Sequence, residues 1–201
     1  MKNQEYIVFD IETAGIGIDK VFIYGVITTH KLMLVYHTAD SFIENLIEEM
    51  RTVPICGHNI ACFDLPYLCY WEQKYKGTHK LLDALQQETT QIWDTLVMSR
   101  KVFPARQNHS LDMWGKQLQG EYKLNLKTEV QDFTDTSAEN IELIKERCEN
   151  DVKINWAVMD YILHNFGVGG IPDYDADMKM FPMFAEILST CLLYTSPSPR
   201  D

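Results

Sequence analysis

Two acidic residues lie close together in an otherwise apolar stretch near the start of the chain. The segment Tyr6 to Glu12 (YIVFDIE) reads as a strand that is apolar on both faces, as central strands of covered sheets are. Side chains alternate along a strand, so Asp10 and Glu12 project from the same face. Burying two carboxylates is costly unless a cation compensates them, and Mg²⁺ and Mn²⁺ prefer carboxylate oxygens. The pair therefore predicts a metal site or, alternatively, a strand end that emerges into solvent.

A third carboxylate follows a short strand that ends at Gly57. A polar loop leads from this glycine into a helix whose first turn carries Asp64. Open α/β sheets place their functional sites beside the tips of such strands. Asp64 is thus a candidate member of the same site, although an acid in the first turn also interacts favourably with the helix dipole without any further role.

A fourth carboxylate, Asp151, belongs to the last long helix. Its neighbours at helical spacing are Ile144, Cys148 and Asn155, so Asp151 points partly toward the core. A single acid facing inward would destabilise the helix packing. As the fourth member of a carboxylate cluster, it would share the compensation that a metal ion supplies.

The elements that must position these acids alternate between strands and helices, which is typical of one mixed α/β domain. We place this domain at residues 1–167. The last helix opens at Thr136, whose sequence Thr136-Ser137-Ala138-Glu139 has the form of a capping box, and Gly167 and Gly169-Gly170 end it. The other predicted strands are Val21–Thr29, Lys31–His37 and Val53–Cys56, the other helices are Ser41–Arg51, Phe63–Tyr75 and His109–Gln119, and Ile92–Val97 is a strand or an early helix.

Composition restricts the functional classes. The chain has 201 residues, 46 % of them hydrophobic, with 18 basic and 29 acidic residues and a net charge of −11. This acidity argues against a protein that coats nucleic acid through a broad basic surface, but it is compatible with an enzyme whose carboxylates hold metal ions. No apolar run approaches a membrane span and no signal peptide is evident, so we expect a cytoplasmic protein without membrane contact.

The cysteines predict no metal site of their own. Five cysteines without a CxxC pair fit reduced thiols in a cytosolic protein. Cys56, His58 and Cys62 suggest zinc, but three candidate ligands in an apolar stretch without a clear fourth are more often core residues. We likewise expect His58 and His109 to hold hydrogen bonds near strand and helix ends.

In their order along the chain, these motifs resemble the DnaQ-like (DEDD) superfamily of 3′–5′ exonucleases. FDIET (Phe9 to Thr13) resembles the first motif, Asn59-x-x-x-Phe63-Asp64 the second and Asp151-Val152 the core of the third. The resemblance covers about residues 5–166 and is greatest to the proofreading exonuclease domain of phage family-A DNA polymerases. Further segments similar to that domain are Trp93–Arg100, His109–Gly115 and Gly120–Lys123.

The resemblance implies a ribonuclease-H-like fold and two divalent metal ions, Mg²⁺ or Mn²⁺. It implies that four acids are catalytic metal ligands and that three further residues bind the terminal nucleotides of the substrate. The expected substrates are single-stranded or frayed DNA 3′ ends. The acids are Asp10, Glu12, Asp64 and Asp151, and the nucleotide-binding residues are Thr13, Asn59 and Phe63.

The chain departs from the family at one catalytic position. The third motif normally has a tyrosine four residues before the last aspartate or a histidine five residues before it, and these positions hold Arg147 and Glu146. Arginine cannot act as a base, because its pKa lies above about 12. Arg147 is therefore predicted to pair with the substrate phosphate or with the surrounding acids, and to leave the protein with measurable but slow cleavage.

The end of the chain has a different character. Residues 168–189 read as a linker and the start of a following region, in which Phe184–Ser189 resembles the helix that leads toward the polymerase part. The eleven residues 191–201 match the translation of a transposon-derived sequencing adapter, so we expect 190–201 to be an artefact tail. The chain would then be a polymerase fragment without its polymerase domain, and a phage protein of this kind would act in the cytoplasm of a bacterial host.

Three functions are compatible with the sequence. The leading one is a metal-dependent 3′–5′ exonuclease, as the proofreading domain of a truncated phage DNA polymerase. The second is a free-standing exonuclease that acts on DNA or RNA. The third, suggested by Arg147, is a module that binds single-stranded nucleic acid without hydrolysing it.

Overall fold

The computed structural model describes residues 5–14, 21–28, 33–87, 89–122, 132–135 and 137–170. Its elements, in chain order, are β1 (Ile7–Thr13), β2 (Phe22–Thr28), β3 (Met33–Tyr36), α1 (Ala39–Met50), β4 (Ile55–Gly57), α2 (Asp64–Lys76), α3 (Lys80–Leu85), β5 (Ile92–Asp94), α4 (Thr95–Val102), α5 (Leu111–Tyr122) and α6 (Ala138–Gly170). Of the expected linker and following region at 168–189, residues 168–170 instead continue α6, and the remainder lies outside the described residues, as do the tail at 190–201 and Thr136.

Five strands form one mixed sheet in the order β3-β2-β1-β4-β5. β2 pairs antiparallel with both β1 and β3, whereas β4 is parallel to β1 and to β5. The central position of β1 explains why its sequence is apolar on both faces. The pairing of β1 with β2 shifts register between Glu12 and Thr13, and such bulges often re-aim side chains next to functional sites.

Helices cover both faces of the sheet, and the alternation along β1 divides its side chains between the two cores. Ile7, Phe9 and Ile11 join the core beneath α1, α2 and α3, whereas Val8 joins the core beneath α4, α5 and α6. Asp10 and Glu12 share the parity of Val8. They therefore face the layer to which α6 belongs, as the period of two requires.

Most predicted elements are present, with shifted ends. The segment Ile92–Val97 divides into the end of β5 and the start of α4. The last helix begins at Ala138, and the Ser137 hydroxyl accepts a bond from the Asn140 amide, so the described cap is one residue later than the predicted Thr136. The helix ends at Gly170, within the glycine segment that was expected to end it.

The short helix α3 was not predicted from the sequence. The buried carboxylate of Glu72 in α2 organises its start, because it accepts bonds from the Thr78 hydroxyl (2.6 Å), the Lys80 amide (3.0 Å) and the Leu81 amide (2.9 Å). A side chain of the preceding helix thus caps the N-terminus of α3. Within the described residues, no helix has both the length and the apolarity to span a membrane.

Candidate active site

Three acids meet where the end of β1 faces α6. Carboxylate oxygens of Asp10, Glu12 and Asp151 all lie within 4.8 Å of one another. β1 supplies two of them from one strand face, and α6 supplies the third from the helix packed on that face. Among the described residues this is the one group of histidine, cysteine and acidic side chains close enough to hold a metal ion. Cys56, His58 and Cys62 do not form such a group.

Asp64 reaches the same place from α2. Its Oδ1 accepts a hydrogen bond from the backbone amide of Ile11 at 3.3 Å, so the carboxylate is held against β1 between the two strand acids. Asp64 is only 3 % exposed, and its charge acts on both Asp10 and Glu12. The structure thus brings the four acids together, and their role as metal ligands stays a prediction.

The crowding of these acids makes their ionisation unfavourable. Burial, followed by the charge of Asp151, raises the pKa of Glu12 to about 8. Burial raises the pKa of Asp64 to about 7 and that of Asp151 to about 6. Burial and the charges of the other three acids also place the pKa of Asp10 well above its usual value. Divalent cations would compensate this excess of negative charge, so the donor set fits hard cations such as Mg²⁺ and Mn²⁺.

Cys148 supports the cluster from α6. Its buried Sγ lies 3.6 Å from both the backbone oxygen and Oδ2 of Asp10. Burial and the nearby acids raise the pKa of the thiol well above its usual value, so the S–H stays protonated and donates to Asp10. The sequence placed Cys148 on the inward side of the helix but did not indicate this donor role.

Arg147 lies beside the cluster, one turn before Asp151. Its Nε is 3.6 Å from Glu12 Oε1 and 3.6 Å from Asp151 Oδ2, and its guanidinium Cζ is 5.3 Å from the centre of the Phe133 ring. The expected pairing of Arg147 with the surrounding acids is therefore present. Arg147 lowers the pKa of Glu12 and of Asp151, against the larger effect of burial.

The loop that carries Asn59 is fixed by Asp94, which the sequence had not marked as important. Asp94 accepts bonds from the amides of Asn59 (3.0 Å) and Ala61 (3.2 Å), and it caps α4 through the amides of Leu96 (2.9 Å) and Val97 (3.4 Å). Asn59 has a φ of 64°, a left-handed conformation that asparagine tolerates better than most residues. Asp94 therefore holds a strained loop directly before Asp64.

The other predicted nucleotide-binding residues differ in accessibility. Phe63 is half-buried at the start of α2 and its ring stacks on Tyr67, with a centroid distance of 6.5 Å. Thr13 is buried at the end of β1. Phe63 thus offers part of an aromatic face near Asp64, while the contacts of Thr13 and Asn59 with a substrate remain predictions.

The two histidines take part in hydrogen-bond networks between elements, as expected. His58 Nδ1 lies 3.0 Å from Thr95 Oγ1, which donates to Asn155 Oδ1 at 2.7 Å. His109 Nδ1 lies 2.6 Å from Ser99 Oγ, and Trp114 Nε1 donates to the same oxygen at 3.0 Å. These networks connect α4 to the loop after β4, to α5 and to α6. Burial lowers the pKa of His58 to about 4, so it is neutral near pH 7.

Comparison with known proteins finds similarity in structure. No model of a known protein family matches the sequence, and no curated protein matches it. Brucella melitensis NrnC bound to pGG aligns with a TM-score of 0.58 at 14 % identity, covering 99 % of this chain and 89 % of that chain. A structure described as the apo form of the nuclease aligns with a TM-score of 0.60 at 16 % identity, covering 98 % and 89 %.

A polymerase also contains this fold. The family B DNA polymerase of the archaeon Pyrobaculum calidifontis aligns with a TM-score of 0.57 at 15 % identity, covering 98 % of this chain but 31 % of the polymerase. The chain has a ribonuclease-H-like fold. The expected fold class, a mixed sheet flanked by helices, is confirmed. The aligned polymerase belongs to family B, whereas the sequence motifs resemble family A.

We expect the metal-free protein to lose stability as the pH rises from about 4 to about 8. The four acids have raised pKa values when folded, so the unfolded chain releases their protons first and is stabilised relative to the folded state. Their contribution is fully present below the ordinary pKa values of 3.8 and 4.5 and is lost as the pH passes through the folded values. Thermal melts in EDTA across this range measure the effect, and excess Mg²⁺ should reduce it.

The contribution of His58 to stability depends on pH in the opposite direction. Its pKa is lowered in the folded protein, so its stabilisation is lost as the pH falls below about 6.5. The comparison with Asp10→Asn separates the two effects, since the variant should show a shallower loss toward alkaline pH. An identical pH profile in both proteins would contradict the assignment of the loss to the acid cluster.

Asp94→Ala should destabilise the protein by about 2–4 kcal/mol, because it leaves several buried amides without their acceptor. Asp94→Asn is the matched control. It keeps one carbonyl acceptor and should lie between the wild type and the alanine variant. Urea unfolding of the three proteins measures the differences. A loss below about 0.5 kcal/mol in Asp94→Ala, the size typical of surface changes, would show that other groups hold the Asn59 loop.

Proposed function

We propose that this chain is a metal-dependent 3′–5′ exonuclease that removes nucleotides from DNA 3′ ends. The main observation behind this proposal is that carboxylate oxygens of Asp10, Glu12 and Asp151 lie within 4.8 Å of one another, with Asp64 held against the same strand. Several buried carboxylates close together destabilise the folded protein unless a bound cation compensates their charge, and such groups are typical of functional sites. The ribonuclease-H-like fold, shared with nucleases and with a polymerase, supports nuclease chemistry at this position.

Each group in the site then has a role. Asp10, Glu12, Asp64 and Asp151 hold two divalent cations, Mg²⁺ or Mn²⁺, directly or through water. When bound, two such ions lower the pKa of an attacking water and stabilise the leaving 3′ oxygen. The Cys148 thiol and the Ile11 amide orient the carboxylates of Asp10 and Asp64 through the bonds described above.

Residues of the loop before α2 bind the strand end. Phe63 offers an aromatic face to an unpaired base, and its stacking on Tyr67 keeps the ring in place. Asn59 and Thr13 are the other proposed contacts to the terminal nucleotides. With a net charge of −11, the protein has no general attraction for the phosphate backbone, so binding depends on this local site and its cations.

We further propose that the chain is the proofreading part of a phage DNA polymerase, on the basis of its motifs and of the sequence Phe184–Ser189, which resembles the segment that leads toward the polymerase part. A free-standing exonuclease on DNA or RNA is the second candidate, because the chain also aligns with Brucella melitensis NrnC bound to pGG. The chain covers 89 % of Brucella melitensis NrnC but only 31 % of the aligned polymerase. Genomic sequence beyond codon 189 separates the two, since the proofreading proposal requires a polymerase continuation and the adapter-like tail to be absent.

The direct test is a cleavage assay with 5′-labelled strands in Mg²⁺ or Mn²⁺. Single-stranded DNA, a duplex with a 3′ mismatch, the matched RNA and pGG serve as substrates, with EDTA as control. Progressive shortening of the 5′-labelled DNA supports the proposal, because it shows removal from the 3′ end. Faster degradation of RNA or of pGG favours the free-standing enzyme, and binding without metal-dependent shortening favours the nonhydrolysing module.

A further inference from the structure

The C-terminal end of α2 presents aromatic and basic side chains that the proposed site does not use. Tyr75 is 58 % exposed, Tyr70 and Trp71 are half-buried, and Lys74 is exposed. Lys80 is exposed at the start of α3, which follows directly. We call these five residues the aromatic–basic patch. Aromatic rings interleaved with cations are typical of surfaces that bind single-stranded nucleic acid.

The side chains of the patch contact one another, so they are partly ordered before a ligand binds. Lys74 Nζ lies 5.3 Å from the centre of the Tyr70 ring and 5.2 Å from that of the Tyr75 ring. The ring centres of Trp71 and Tyr75 are 5.3 Å apart, and Trp71 packs against the core. A base that stacks on Tyr75 therefore meets a ring whose freedom is already reduced, which lowers the entropic cost of binding.

A buried acid fixes Lys80 beside the end of α2. The carboxylate of Glu72 accepts hydrogen bonds from the amide of Lys80 at 3.0 Å and from the amide of Leu81 at 2.9 Å. Glu72 is the single acid in the segment 70–80, and it is buried. Its charge is used inside the protein, so the outer surface of this segment carries the lysines without an acid of its own.

The charge of this segment is opposite to that of the whole chain. The protein has a net charge of −11, yet residues 70–80 contain three lysines and one acid. Lys76 pairs with Asp40 of α1. Lys74 and Lys80 form no ion pair within the part of the chain that the structure describes. Two cations next to exposed rings are thus available to bind phosphate groups.

The patch and the start of the proposed binding site share one face of α2. Steps of four, three and four residues connect Phe63, Tyr67, Tyr70 and Lys74, which places them along one side of the helix. At 1.5 Å per residue, Lys74 lies about 17 Å beyond Phe63 along the axis. A stacked strand advances about 3.4 Å per nucleotide, so a strand that ends beside Phe63 reaches the patch within about five nucleotides.

We propose that the aromatic–basic patch is a second binding surface for the substrate strand, and that it holds the nucleotides upstream of the 3′ end. This inference rests on the proposed function and narrows its substrates to long single strands. Tyr75 stacks on a base, and Lys74 and Lys80 contact phosphates. A dinucleotide such as pGG is too short to span a distance of about 17 Å, so it gains nothing from the patch.

The test measures the binding of fluorescent oligo(dT) to the protein in EDTA, where no divalent cation attracts the strand to the acid cluster. A length of about 20 nucleotides exceeds the roughly 4–16 that single-strand sites cover. Tyr75→Ser should weaken binding by at least about fivefold, as expected for the loss of one stacked base. Lys74→Gln combined with Lys80→Gln should reduce the slope of log affinity against log salt concentration by about 1.4, since each phosphate contact contributes about 0.7.

Conservative variants separate these contacts from a loss of structure. Tyr75→Phe keeps the ring and should bind like the wild type. Lys74→Arg combined with Lys80→Arg keeps the charges and should keep the salt dependence. Lys116→Gln removes an exposed lysine of α5 that pairs with Asp112, and it should change neither quantity. Circular dichroism and melting curves establish that each variant is folded.

Oligo(dT) binding that is the same in the wild type, in Tyr75→Ser and in the double glutamine variant would overturn the proposal. Absence of measurable binding by the wild type would also overturn it. A further contrary outcome is a change of oligomeric state in Tyr75→Ser, seen by sedimentation, with unchanged affinity for oligo(dT). The patch would then be a contact between copies of this chain.

Cleavage of long and short substrates separates this proposal from the proposed function. In the presence of Mn²⁺, Tyr75→Ser should raise the ratio of the KM for oligo(dT) to the KM for pGG by at least about fivefold. A protein that binds oligo(dT) through the patch but cleaves nothing loses only the exonuclease assignment. A protein that cleaves oligo(dT) and shows the same KM ratio in both forms loses only the patch.

Discussion

Asp10→Asn is expected to reduce metal-dependent cleavage by at least about 10³-fold while stabilising the metal-free protein. The substitution removes one ligand charge from the centre of the cluster, and metal stabilisation of the transition state amounts to several kcal/mol, with each 1.36 kcal/mol worth a factor of ten. Asp10→Ala should lose as much activity. The asparagine has nearly the same shape and keeps an oxygen that can accept from the Cys148 thiol.

The stabilisation follows from the raised pKa of Asp10. In the wild type without metal, folding at neutral pH either forces a buried carboxylate to take up a proton or places it near the other three acids. Asparagine does neither, so we expect the melting temperature in EDTA to rise by at least about 2–4 °C, the shift that about 1 kcal/mol produces in a domain of this size.

The measurements are single-turnover cleavage in saturating Mn²⁺ and thermal melts in EDTA at neutral pH. Asp83→Asn is the matched control, because Asp83 is an exposed acid of α3, on the other side of the sheet from α6, and its loss should change neither quantity. An Asp10→Asn protein that still cleaves within tenfold of the wild type would show that the cluster is not the active site. A lower melting temperature in EDTA would show that the carboxylate contributes to stability without metal.

The central part of this site could be predicted from the sequence because it depends on short, regular spacings. The alternation along β1 places Asp10 and Glu12 on one face, and helical spacing turns Asp151 toward the core. Both rules act within a few residues and hold whatever the tertiary packing is. Most elements of the fold followed from the same rules, apart from α3, most of α4 and the ends of the elements.

The supporting residues could not be predicted, because their partners are distant in the sequence. Asp94 binds amides 35 and 33 residues away, and the Cys148 thiol meets Asp10 across 138 residues. In each case the residue type allows many roles, and only the packing of one element on another selects the one observed. Glu72 binds amides only 8 and 9 residues away, but this contact also depends on how α3 packs against α2.

Arg147→Tyr is expected to increase the rate of cleavage at saturating substrate by up to about 10²-fold, a cautious figure for one positioned acid–base group. Arg147 lies 3.6 Å from two of the acids, so a side chain at this position reaches the reacting region. A tyrosine hydroxyl can orient an attacking water or exchange a proton with it, whereas a guanidinium stays protonated. The hydroxyl also leaves the carboxylates to the metal ions.

Two effects of the substitution must be separated, because removal of the positive charge should also improve metal binding. Rates are therefore compared at Mn²⁺ concentrations that saturate each protein, with single-turnover kinetics and measured DNA affinity. Arg147→Phe is the matched control, since it supplies the ring without the hydroxyl. It should match Arg147→Tyr in metal binding but stay near the wild-type rate. A tyrosine variant no faster than the wild type under these conditions, with metal and DNA binding intact, would mean that Arg147 itself supports the reaction through its charge. In that case a positive charge beside the scissile phosphate would contribute more to the rate than a hydroxyl beside the attacking water.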